Sequence, residues 1–279
     1  MTAALEMPGL AGSRTTALLL PREHGAWAML LLPFFSALIL ARQLRWEAAP
    51  AFVMAAGAFA VREPLVALGR QKWVWRERRP ESEQALRSLG WYGAAIAVSG
   101  AALLWRLPFV PLAALGAAAA LLTALAVHQS VRNRQRSVLL QLASAAGLTA
   151  SCLLAWLAAQ ARWDARIWLL WGLQMAHSAA ALVAVHARLE ARIARRRGAV
   201  APSIARPAAA AVFLLAALAA VLAWGGRPGL ALAAAFSAAV RAADLARLRF
   251  SLETPLRRVG QRELALSCVF SVLALAGLW

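Results

Sequence analysis

Nine apolar stretches, each long enough to cross a bilayer, divide this chain, and the arginines between them crowd onto alternate loops. The stretches run over about 25–41, 47–69, 88–105, 108–128, 137–158, 166–187, 207–225, 228–246 and 261–279. A bilayer core takes about 20 apolar residues in a helix. Only helices or closed barrels satisfy their backbone there, and these runs lack the polar–apolar alternation of barrel strands. The expected fold is all-α, a polytopic membrane bundle of about nine helices. Residues 1–20 read as a short tail and 21–279 as a single transmembrane domain.

Arginine placement sets the expected orientation. Of the 30 Lys and Arg residues, 24 fall on the N-terminal side and the even-numbered loops. The opposite side holds only Arg42, Arg45, Arg106, Arg162, Arg166 and Arg227. The positive-inside bias then puts the N-terminus in the cytoplasm and the C-terminus outside. The net charge of +18 follows from the same distribution. Basic groups against an anionic leaflet explain it, and no loop is long enough to fold into a nucleic-acid-binding module. Nucleic acid is therefore not an expected partner, whereas membrane lipids are. Cys152 and Cys268 lie inside spans without metal-ligand spacing and read as packing residues.

Chemistry in such a chain falls to polar groups at membrane depth or at span ends, because they are costly to keep there. Pro21-Arg22-Glu23-His24-Gly25-Ala26-Trp27 leads into the first span. Pro suits a helix start, and a helix N-terminus with Arg22 and His24 beside it suits an anion. Val61-Arg62-Glu63-Pro64 interrupts the second span, where proline frees backbone carbonyls. The sixth span ends in His186-Ala187-Arg188-Leu189-Glu190, with His186 and Glu190 on one helical face. Arg132 and Arg136 follow the fourth span; Arg241 and Asp244 count with the eighth loop, and Gly260 and Glu263 open the ninth span. The expected anion- or head-group-binding set is Arg22, His24, Arg62, Arg132, Arg136, Arg188 and Glu263. His24, Glu63 and Glu190 are the candidates for catalysis. Deeper groups are few: Ser144, Thr149, Gln174, His177, Ser178 and Ser237. A lone membrane histidine such as His177 reads first as an interhelical hydrogen-bond partner. No carboxylate is expected in the span interiors.

The PREHGAWAMLLLPF stretch, REPLVALGR, RNRQRSVLLQLASAAGL and the final LRRVGQRELALS together resemble the YwiC-like family of bacterial membrane proteins. The resemblance implies a bacterial inner-membrane location and functional positions at Arg22, His24, Gly25, Trp27, Arg62, Pro64, Arg132, Arg136, Gly260 and Glu263. In topology the chain also resembles the UbiA-type prenyltransferases. Those enzymes hold an isoprenyl diphosphate through magnesium and two Asp-rich motifs at the ends of spans two and six. Here those ends carry only Glu63 and Glu190. Magnesium wants several hard oxygen ligands, so no metal site and no cofactor are expected. Arginines can pair with phosphate directly. The expected ligand is an isoprenoid, a quinone or a phospholipid head group in a cytoplasm-facing basic cleft. A prenyltransferase-like enzyme without the Asp-rich motifs is the alternative, and a transporter the weaker one.

Overall fold

The computed structural model describes residues 17–21, 24–132, 137–198, 205–247 and 255–279. Among them every regular element is helical: α1 (His24–Ala41), α2 (Ala48–Ala60), α3 (Arg62–Arg70), α4 (Glu81–Leu104), α5 (Phe109–Val131), α6 (Val138–Thr149), α7 (Ser151–Gln160), α8 (Ala165–Arg196), α9 (Ala205–Trp224), α10 (Pro228–Ala246) and α11 (Leu256–Leu278). Two breaks are local. α2 and α3 form one rod through Val61, and α6 and α7 form another through Ala150, so the described residues make nine rods. Six of these are long and apolar enough to cross a membrane by length and composition. Two more, Gly25–Ala41 and Ala208–Trp224, are apolar but shorter. α4 has the length but begins with Glu81, Glu83 and Arg87. The chain is a multi-pass membrane protein.

Several boundaries differ from those read in the sequence. The second rod extends through a π turn (Gln71–Trp75) and stops where Arg76 adopts a left-handed backbone, φ 54°. Apolar patterning missed these residues because they carry Lys72 and buried Gln71, which accepts a hydrogen bond from the Ser82 hydroxyl. α4 begins seven residues before its apolar part. α8 runs nine residues past its expected limit at Ala187, through arginines that suit a helix C-terminus.

The packing centre is α7. Every residue from Ser151 to Ala159 is buried, as expected for a helix that is apolar all round. Small side chains at Cys152, Ala155, Ala158 and Ala159 let α1 and α8 approach α7, and Trp156 is buried in the same core. Ser151 anchors this helix by donating to the Leu30 carbonyl at 2.7 Å, and Gln160 donates to the Ala41 carbonyl at 2.9 Å. α10 and α11 meet through two glycines. A Cβ on Gly277 would lie 2.6 Å from the Gly229 carbonyl carbon, so only glycine fits that crossing. Large apolar side chains on α4, α5 and α9 face outward, among them Val98, Val110, Phe213 and Val221. That surface suits hydrocarbon rather than water.

The N-terminal strap is fixed where it is described. Leu19 N–H donates to Ser88 Oγ at 3.0 Å, Tyr92 Oη donates to the Leu19 carbonyl at 2.9 Å, and Gln84 donates to the Ala17 carbonyl at 2.7 Å. The end of the tail therefore lies along the start of α4. Trp46, Trp105, Trp224 and Trp279 sit exposed at rod ends on the arginine-poor face, where an interfacial aromatic belt would be.

Candidate functional site

The HGAW turn of α1 and the interrupted second rod meet at an aromatic pair. Trp27 stands edge-on against Phe59, ring centroids 4.9 Å apart, and its indole N–H donates to the Pro21 carbonyl at 3.2 Å. Trp27 thus ties the chain entering α1 to the wall of α2. Because the two rods are antiparallel, one turn toward the arginine-rich face brings the backbone of His24 level with Arg62. Phe59 and Arg62 line the same cleft.

That cleft is half-open and runs between α1, α2, α5, α6 and α7, with a volume of about 170 Å³. Its walls are mostly apolar or small, with Leu30, Met54, Leu122 and Leu154 prominent and Thr123, Ser144 and Ser151 the uncharged polar exceptions. Arg62 is the one charged residue in the lining. Gly147 keeps the cleft open: a Cβ there would come within 2.6 Å of Leu122 Cδ1. The lining spans nine residues of the second rod, from Met54 to Arg62, or about 12 Å of helix. An apolar cavity of about 150 Å³ is enough to hold a benzene-sized group. Below the cleft, Arg70 donates to the Ser130 carbonyl at 3.1 Å and joins α3 to the end of α5.

A second polar region lies between α8, α10 and α11. Arg241, only 3% exposed, makes a two-pronged contact with Glu263: Nη1 to Oε1 at 2.9 Å and Nη2 to Oε2 at 2.7 Å. Nη1 also lies 3.3 Å from Asp244 Oδ2, and Arg262 holds Asp244 Oδ1 at 2.7 Å. One turn deeper, His177 is buried with Nδ1 2.9 Å from Ser237 Oγ and Nε2 3.2 Å from Ser267 Oγ. Its ring stacks on Phe270 with centroids 4.2 Å apart. Deeper still, Gln174 donates to Ser271 Oγ at 3.0 Å, and Ser271 donates to the Ser267 carbonyl. The result is a polar seam along three helices. His177 is an interhelical hydrogen-bond partner, as read from the sequence.

Among the described residues, those singled out in the sequence line two separate cavities or neither. Arg62 belongs to the cleft, while Arg188 and Glu263 line a small cavity with Arg241 and Asp244, and the two linings share no residue. Glu63 and Glu190 are half-buried on α3 and α8 but line neither cavity, and Arg132 is exposed as the C-cap of α5. Arg22 and Arg136 lie outside the described residues, as does the side chain of His24. Two readings need correction. Arg241 belongs to helix α10 and is buried rather than lying in a loop. The bundle interior also holds a carboxylate after all, because Glu263 sits two turns inside α11 against Arg241. The i, i+4 spacings Ser237–Arg241 and Glu263–Ser267–Ser271 were the signal that could have exposed the seam. Among the described residues, no three His, Cys, Asp or Glu side chains gather to hold a metal ion.

The family model described as YwiC-like protein matches residues 20–159, half of the chain. Among curated proteins and among solved structures, nothing matches. The matched region runs from the Pro21–Trp27 motif to the end of α7 and contains every residue that lines the larger cleft. The chain belongs to the YwiC-like protein family.

Proposed function

We propose that this protein binds an anionic amphiphile, an isoprenoid phosphate or a phospholipid, with its apolar chain in the larger cleft and its head group at Arg62. The observation that carries this reading is the placement of a single charged residue, Arg62, in the lining of a largely apolar, half-open cleft. Burying apolar chain against Leu30, Met54, Phe59 and Leu122 supplies affinity. The guanidinium supplies a planar pair of donors for phosphate oxygens. A cleft between helices with a few convergent polar groups is the usual form of a small-molecule site. Its residues all fall in the family-matched segment, which ties the reading to the family and not to the second half of the chain. The arginine-rich face, and with it the head group, lies on the cytoplasmic side by the positive-inside bias.

Native mass spectrometry of the purified chain tests the proposal. A phosphate-bearing isoprenoid or phospholipid is expected to survive extraction. Gly147→Leu, which fills the cleft, and Arg62→Gln are both expected to lose it. Retention of the same lipid by both variants refutes the reading. A bound quinone in place of a phosphate ester would keep the cleft but remove the role given to Arg62. Turnover of an added prenyl diphosphate would favour the prenyltransferase-like alternative, in which the cleft holds a substrate.

A further inference from the structure

The smaller cavity, between α8, α9, α10 and α11, has about 20 Å³ of space, enough for one water-sized occupant. Arg188, Arg241, Asp244 and Glu263 line it beside alanines. Two of its donors lack acceptors. Nε of Arg241 and Nε of Arg188 are both buried without a hydrogen-bond partner among the described residues. A buried, unsatisfied donor on a charged group costs more than one on a neutral group, and Arg241 is almost wholly buried. Two such donors beside one small cavity call for an acceptor inside it.

Charge identifies the acceptor's class. Glu263 neutralises Arg241 through its two short contacts, and Arg262 neutralises Asp244 at 2.7 Å. Arg188 has no carboxylate partner among the described residues; with Arg262, which holds Asp244 from outside the lining and is 43% exposed, three arginines face two carboxylates, a surplus of one positive charge. A water would satisfy the geometry but leave that charge in place. We propose that Arg188 and Arg241 bind a small monovalent inorganic anion of the halide class in this cavity. The site is independent of the lipid cleft, with which it shares no residue, and it locks α8 to the α10–α11 pair.

Bromide is the probe. The full chain, purified in detergent, is unfolded thermally while sodium gluconate is replaced by sodium bromide at constant ionic strength. A saturable rise in Tm is expected. Arg188→Gln should raise the half-saturating bromide concentration by about tenfold or more, the loss of one charged hydrogen bond. Arg106→Gln, exposed on the opposite face, should leave it unchanged. Anomalous diffraction from bromide-soaked crystals should place a peak between Arg188 and Arg241, a readout that does not depend on any variant folding. A Tm indifferent to bromide means the cavity holds water and overturns the proposal. So does a bromide response that Arg188→Gln leaves intact, a bromide peak elsewhere, or a Tm that follows anionic lipid and ignores bromide.

Discussion

Replacing Glu263 by alanine removes both short contacts that neutralise Arg241 and leaves the guanidinium inside the bundle. The side chain of Arg241 is 2% exposed, against 17% for Glu263 and 20% for Asp244. Arg241 is therefore the member that water cannot reach. Breaking a buried ion pair from one side costs about 3–5 kcal/mol, because the surviving charge is stranded. Asp244 remains 3.3 Å away, but it is already held by Arg262 at 2.7 Å. Its partial compensation puts the expected loss at the lower end, about 3 kcal/mol. Reversible unfolding in mixed detergent micelles measures it. The companion variant Arg241→Met/Glu263→Leu removes both charges and keeps the volume. It should lie within about 1 kcal/mol of the wild type, since well-packed apolar replacements of buried pairs are often neutral. A cost under about 1 kcal/mol for Glu263→Ala would refute the reasoning, and so would a double variant as damaged as the single one.

Three further outcomes follow from the packing. Gly277→Val should separate α10 from α11 and destabilise the bundle by at least the 1–3 kcal/mol typical of overpacking, because its Cβ meets Gly229 backbone at 2.6 Å; unfolding of the same detergent-solubilised protein measures it, and Gly277→Ala should already show part of the loss. Trp27→Ala should cost about 3–5 kcal/mol through the lost edge contact with Phe59 and the lost bond to Pro21. It should also reduce lipid retention in native mass spectra, because Phe59 walls the cleft. His177→Ala should cost about 2 kcal/mol, since each interhelical hydrogen bond in a membrane averages about 0.6 kcal/mol and the stacking on Phe270 adds to them.

The rods were legible in the sequence because hydrocarbon imposes one length and one polarity on every span. The breaks within them were only half legible. Pro64 marks the one at Val61, since proline cannot donate to the Ala60 carbonyl. Nothing comparable marks Ala150, where Thr149 turns its hydroxyl back onto the Ala145 carbonyl at 2.8 Å and Trp171 donates to Ala146 from another helix. That break is a tertiary effect. Arg62 was legible as a charge beside an apolar run, yet the cleft it lines was not, because the cleft depends on Gly147 lying against Leu122 from a different rod. Arg188 and Glu263 were read as parts of one basic surface with Arg62. Sequence distance along a membrane bundle says which face a residue nears, and not which helices flank it there.

Helix lengths place the two sites at a common depth. Arg62 is 14 residues from the start of the second rod, Arg241 is 13 from the start of α10, and Glu263 is 15 from the end of α11. At 1.5 Å per residue these positions lie about 21, 20 and 22 Å from the arginine-poor end of their rods. With those rod ends set at one boundary of a hydrocarbon core about 30 Å thick, all three would fall about 10 Å inside the other. Charges at that depth persist only when they pair or line a polar recess. Arg241 does the first, through Glu263 and Asp244. Arg62 is the charged residue in the lining of the larger cleft. On that placement these charged groups would reach about a third of the way into the membrane from the arginine-rich side. On the proposed reading, an anionic head group drawn to that face would reach Arg62 and still keep its chain in hydrocarbon, which a purely superficial basic patch would not allow.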